Sequence, residues 1–155
     1  MGLQPLEKGQ LGVMLVRGIL FALVLLVAAA IPAFATSDDT GIAPGAILGG
    51  LAVLLLYPAL IGPMRRFRSW GYRLDGEELQ LRHGIWTQIE TLVPLRRVQH
   101  LDVAQGPLER TFGVTRLVLH TAGTSNSQVV VPGLSRTTAE EIRDEIRAQI
   151  RQDPE

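Results

Sequence analysis

A chain of 155 residues with 15 basic and 15 acidic side chains and no cysteine has room for one small soluble core. It offers no disulfide, thiolate metal site or cysteine nucleophile, and no overall basic excess of the kind that binds nucleic acid. The charges are unevenly spread, because residues 18–35 carry none.

In chain order, Gly18 to Ala35 (GILFALVLLVAAAIPAFA) and Ile42 to Ile61 (IAPGAILGGLAVLLLYPALI) are two charge-free apolar runs. A bilayer core of about 30 Å takes roughly 20 residues of helix, so both are expected to span. Thr36 to Gly41 (TSDDTG) is made of turn-formers, which predicts a tight transmembrane hairpin. Lys8 and Arg17 precede the first span and Arg65, Arg66 and Arg68 follow the second. By the positive-inside rule the expected location is the cell membrane, with two spans and both termini cytoplasmic. Ala33-Phe34-Ala35 also has the small-x-small form of a signal-peptidase site, although the region before the apolar core is long and thinly basic. Gly45, Ala46, Gly49 and Gly50 offer a small-residue face for close packing against the first span or another subunit.

From Ser69 the apolar period becomes two. Strands are predicted over Trp70–Leu74, around Leu79 and Leu81, over Trp86–Val93, around Leu101 and Val103, around Leu117 and Leu119, and around Val129 and Val131. Asp75-Gly76-Glu77 and Gly123–Ser127 are turns, Pro94 ends a strand, Leu108–Phe112 is a helical turn, and Pro132-Gly133 is expected to close the sheet. Short connections make all six strands antiparallel neighbours. A last helix follows, with Thr137 and Glu140 as its capping box and Ile142, Ile146 and Ile150 as one apolar stripe.

These residues carry a family resemblance: Trp70-Gly71-Tyr72-Arg73-Leu74, Leu79-Gln80-Leu81-Arg82-His83-Gly84, Pro94-Leu95-Arg96-Arg97-Val98-Gln99, Gly106-Pro107-Leu108-Glu109-Arg110-Thr111-Phe112-Gly113 and Thr121-Ala122-Gly123. Together with the double span upstream, the chain resembles the bacterial pleckstrin-homology-like (PH-like) family of membrane-flanked proteins, once labelled only as a domain of unknown function. The resemblance implies an α+β fold: an N-terminal two-helix transmembrane hairpin, then a small PH-like antiparallel β-barrel capped by a C-terminal α-helix. The expected divisions are residues 1–68 for the N-terminal segment and hairpin, 69–151 for the PH-like domain, and 152–155 for a tail.

At most of these positions a structural role suffices. Gly84 and Gly113 suit positive φ, and Phe112 would plug the open side of a barrel. Arg96, Arg97 and Arg110 have two open readings. In one they extend Arg65, Arg66 and Arg68 into a basic surface for membrane or partner, each charge adding about 1 kcal/mol near an anionic leaflet. In the other they are solvated or pair with Glu90, Asp102 and Glu109. PH domains that bind inositol phosphates use a basic loop between their first two strands, whereas Asp75-Gly76-Glu77-Glu78 is acidic here and would repel a polyphosphate.

His83, His100 and His120 lack metal-ligand spacing, and no phosphate loop, dinucleotide fingerprint or acid/base carboxylate pair occurs in the sequence. No cofactor, metal or catalytic residue is therefore expected. The expectation is a non-catalytic module at the cytoplasmic face, with the lipid bilayer and a protein as partners. That protein would be another copy or a larger membrane protein with related domains. Recognition of anionic lipid headgroups is the alternative, and nucleic acid is not expected.

Overall fold

The computed structural model describes residues 2–35, 43–122 and 128–152, so the expected turns at Thr36–Gly41 and Gly123–Ser127, Ile42 at the start of the second run, and most of the tail lie outside the described residues. By packing, the chain divides into two compact units: Met14–Arg65, and Met1–Val13 together with Arg66–Glu155.

The first unit holds most of α1 (Lys8–Ala35) and α2 (Pro44–Ser69). At 1.5 Å per residue their 28 and 26 residues make helices of about 42 and 39 Å, longer than the hydrocarbon layer. Large apolar side chains cover their outer faces; Val27, Ile31, Val53 and Leu54 are each about 70% exposed or more in the protein alone. No soluble core covers them, and a bilayer is the solvent that suits them. The helices approach closely at Gly18, where a Cβ would stand 2.9 Å from the Ala59 carbonyl oxygen. Gly45, Gly49 and Gly50 have open space beside them, so the close contact with the first span falls elsewhere than the sequence predicts.

In the second unit, β1 (Gly71–Asp75), β2 (Glu78–His83) and β3 (Ile89–Pro94) form one antiparallel sheet in that order, and β4 (Val98–Ala104), β5 (Thr115–Thr121) and β6 (Gln128–Leu134) form another. The expected closed barrel is thus two three-stranded sheets, and β3 and β4 are not ladder partners. Between them lies a single 3₁₀ turn, Leu95–Arg97. Pro94 has no N–H to extend the ladder, Leu95 donates its N–H to the Glu77 carbonyl at 2.9 Å, and its side chain is buried, so the chain turns into the second layer. The third strand is shorter than predicted. It starts at Ile89, because Gly84 takes φ +116° and residues 84–88 form a connection.

Alternation puts Leu79, Leu81, Val93, Leu101, Leu117, Leu119 and Val131 inside one core. Over it lies α4 (Arg136–Gln152), while α3 (Pro107–Thr111) is a single turn between β4 and β5. Ile142 and Ile146 are buried in the core, whereas Ile150, expected to complete their stripe, is 40% exposed. The cap of α4 also lies two residues earlier than predicted: Ser135 Oγ accepts the Thr138 N–H at 3.0 Å, and Glu140 pairs with Arg136. The sheet does not end at Pro132-Gly133 either. Gly133 adopts φ +65° beside a register shift between Thr115 and Leu117, and β6 runs on to Leu134.

The N-terminal segment, expected to belong with the spans, packs with the sheets instead. Gln4 exchanges backbone hydrogen bonds with Tyr72 on the free edge of β1, at 2.7 and 3.0 Å, and Glu7 donates to the Gly133 carbonyl of β6 at 2.8 Å. One short segment therefore bonds to both sheets. Leu6 enters the core, and the first turns of α1 bury Gln10 and Val13. The fit needs glycine: a Cβ at Gly9 would meet the Phe112 carbonyl at 2.3 Å, one at Gly12 the Phe112 ring at 2.4 Å, and one at Gly133 the Gln10 side chain at 2.6 Å. The Phe112 ring thus lies against α1, a different place from the barrel mouth expected for it.

Candidate functional site

The strand registers of the first sheet define two ends. At one, Gly71 pairs with Arg82 and His83 with Ile89; at the other, Asp75 pairs with Glu78 and Glu78 with Pro94. The chain comes in from α2 at the first end, which we term proximal. About 17 Å of strand, five steps of about 3.4 Å, leads to the distal end.

All six sequence-predicted arginines are exposed, and the strand register sets Arg96 and Arg97 at the opposite end of the first sheet from the end of α2. Arg65, Arg66 and Arg68 lie in the last turns of α2, which Ser69 closes by donating its Oγ–H to the Arg66 carbonyl at 2.8 Å. Arg96 and Arg97 form the 3₁₀ turn at the distal end of the first sheet. Arg110 lies in α3, beyond the far end of β4 from Arg97, two residues before the Phe112 that meets Gly12. The carboxylates considered as their partners are engaged elsewhere. Glu90 bonds Gln80, and Asp102 accepts from His100 Nε2 at 2.8 Å and lies 3.3 Å from His120 Nε2. Glu109, almost fully buried, accepts the Gly106 N–H at 2.5 Å and lies 3.5 Å from Arg116. Among the described residues Arg96, Arg97 and Arg110 form no ion pair.

At the distal end the β1–β2 turn, the 3₁₀ turn and the end of α4 enclose a cleft of about 450 Å³ lined by Glu77, Glu78, Pro94, Leu95, Arg96, Gln149 and Ile150 together with Gly76. The cleft opposes two carboxylates to one guanidinium over an apolar wall. Gln149 Oε1, at its rim, is buried with no donor among the described residues. A second hollow of about 220 Å³, lined by Val98, Gln99, His100, Leu101 and Arg147, shares Ile150 with the first. Its lining carries His100 and Arg147 and no carboxylate, whereas the mixed charge of the first cleft suits a polar peptide better than a polyanion.

The proximal end is different in kind. Trp70 stacks on His83 with ring centroids 4.6 Å apart. The connection 84–88 projects beyond them with Trp86 92% exposed and Ile85 exposed beside it, and Ile89 at the start of β3 is exposed as well. Tyr72 is buried under the N-terminal segment; burial first, and the negative charge of Glu7 second, push its hydroxyl above the ordinary pKa of 10.0. The sequence reading places Trp86 in a strand, because Ile85 and Trp86 suit strand composition as well as a loop; only Gly84 signals the break.

The comparisons with known proteins agree with this architecture. Residues 11–150 match the family profile described as Bacterial PH domain. The chain is similar to the UPF0699 transmembrane protein YdbS of Bacillus subtilis (strain 168), 30% identical over 100 residues that make up 64% of this chain and 58% of that protein. It is also similar to the UPF0699 transmembrane protein YdbT of the same organism, 26% identical over 103 residues, 66% of this chain and 20% of that one. The chain thus aligns with less than two thirds of the length of either relative. No solved structure matches. A profile match that runs from the first turns of α1 through nearly all of α4 takes in both membrane-capable helices and both sheets, and on it the chain belongs to the bacterial PH domain family.

Proposed function

We propose that the chain is a membrane-anchored, non-catalytic PH-like module whose two-sheet unit is held at the cytoplasmic face and docks a protein there, either another chain or a second copy of itself. The distal cleft supports this reading. It mixes Glu77 and Glu78 with Arg96 over Leu95 and Ile150, and it lies at the end of the sheet farther from where the chain leaves the membrane helix. The basic residues Lys8, Arg17, Arg65, Arg66 and Arg68 flanking the helices support cytoplasmic placement of both termini. A larger membrane protein with related domains fits as the partner.

Recognition of anionic headgroups has one observation in its favour, the three exposed arginines at the end of α2. Arg96 and Arg97 do not extend that group, which leaves about 1 kcal/mol for each of three charges: enough to bias orientation, and little for selective recognition.

Chemical cross-linking of the full chain in native membranes tests the docking reading. The expected result is a discrete higher-mass adduct that is lost in Arg96→Glu and retained in Arg110→Glu. Monomer alone in the unaltered chain, under conditions that cross-link a known membrane dimer, would contradict it.

A further inference from the structure

We propose that the β2–β3 connection, residues 84–88 with Trp86 at its tip, inserts into the interfacial layer of the same bilayer from which α2 emerges. This inference does not rest on the protein-docking reading, which concerns the opposite end of the sheet.

Three observations on one end of the sheet carry it. First, the register pairs Gly71 with Arg82 and His83 with Ile89, and Trp70 stacks on His83, so the connection emerges beside the point where the chain leaves α2. Second, that point is close to lipid. From Ile61, the end of the apolar run, to Ser69 is eight helical steps, about 12 Å, and the headgroup layer, half the difference between about 30 and 40–45 Å, takes up about 5–8 Å of that. A tryptophan side chain reaching back from the sheet end is within range of it. Third, the chemistry of the tip matches that layer. Residues 84–88 (GIWTQ) carry no charge that an anionic leaflet would repel, and Ile85 and Trp86 present their apolar surface outward. At its base Arg82 donates to Gln88 Oε1 at 2.5 Å, leaving a cation beside the tip. Exposed tryptophan next to isoleucine is an unfavourable surface in water and a preferred one where hydrocarbon meets headgroups, because the indole buries its ring and keeps its N–H hydrated.

The chain's two tryptophans make the test direct. In Trp70→Phe, reconstituted full length into phosphatidylcholine–phosphatidylglycerol vesicles, Trp86 is the sole reporter. The expected result is blue-shifted emission, resistant to aqueous iodide and strongly quenched when the acyl chains are brominated near the headgroup. Emission at the wavelength of free tryptophan, open to iodide and indifferent to bromine, overturns the proposal. Protection from iodide without bromolipid quenching overturns it too, since a protein surface would then cover the tip. If Trp70→Phe disturbs the stack on His83, the same two quenchers are applied to the unaltered chain and to Trp86→Phe. The bromolipid-sensitive emission must then disappear in Trp86→Phe.

Discussion

The two ends of the first sheet are about 17 Å apart and built from opposite materials. At the proximal end the connection carries no charge, Trp86 and Ile85 face outward, and the N-terminal segment is bonded on through Gln4 and packed in through Leu6. At the distal end Glu77, Glu78 and Arg96 surround a cleft. In a domain of this size a surface that is tied down contributes stability, and one left open costs little to change. On the proposed reading, anchoring and structural cohesion belong to one end and recognition to the other, and substitutions can separate the two.

The largest effect belongs to the segment that joins the sheets. Leu6→Ala leaves a cavity in the shared core and is expected to destabilise the soluble unit by about 2–5 kcal/mol, read as loss of cooperative unfolding in detergent. A chain cut to residues 69–155 loses Leu6, Gln10 and Val13 together and should not fold stably, so the PH-like unit needs its N-terminal residues. If that fragment melts cooperatively at the temperature of the full chain, the segment is not part of the unit. Gly133→Ala comes next: its positive φ and its approach to Gln10 predict a cost of about 1–3 kcal/mol, measurable by the same melt.

Tyr72 predicts a pH dependence confined to the proximal side. Its ionisation is disfavoured in the folded state by burial and then by Glu7. The unfolded chain therefore releases this proton at a lower pH than the folded chain does. The neutral hydroxyl's contribution is fully present below pH 10.0 and is lost as pH rises beyond it. Tyr72→Phe should remove that alkaline loss while leaving behaviour near neutrality unchanged, as a melting series from pH 8 to pH 11 would show. The smallest stability effects belong to the exposed residues. Arg96→Glu and Trp86→Ser should each move stability by no more than about 0.5 kcal/mol. Arg96→Glu should nevertheless abolish partner cross-linking, and Trp86→Ser should leave it intact.

Much of this could be read from the sequence. The two charge-free runs, the alternation of Leu79 with Leu81 and of Leu117 with Leu119, the positive φ of Gly84 and Gly113, and the family resemblance all correspond to what the chain adopts. The two-sheet arrangement could not be, because alternation tells which face is buried but not which strand lies alongside. Residues 3–13 escaped notice because they merge without a break into the apolar run of α1. Their role depends on Gly9 and Gly12 meeting Phe112, 100 residues or more away in sequence. The six arginines look like one basic group in a linear reading; the register of β1, β2 and β3 sets Arg96 and Arg97 at the far end of the sheet from Arg68. The cap of α4 moved to Ser135 because Ser135, Thr137 and Thr138 all suit that position and backbone geometry decides among them.

The division between the two ends is tested most directly by a photo-reactive amino acid placed, in separate full-length chains, at position 77 and at position 86, and activated in native membranes. The account predicts protein adducts from position 77, which Arg96→Glu removes, and lipid adducts from position 86, which it leaves unchanged. Protein adducts from position 86 with none from position 77 would contradict it.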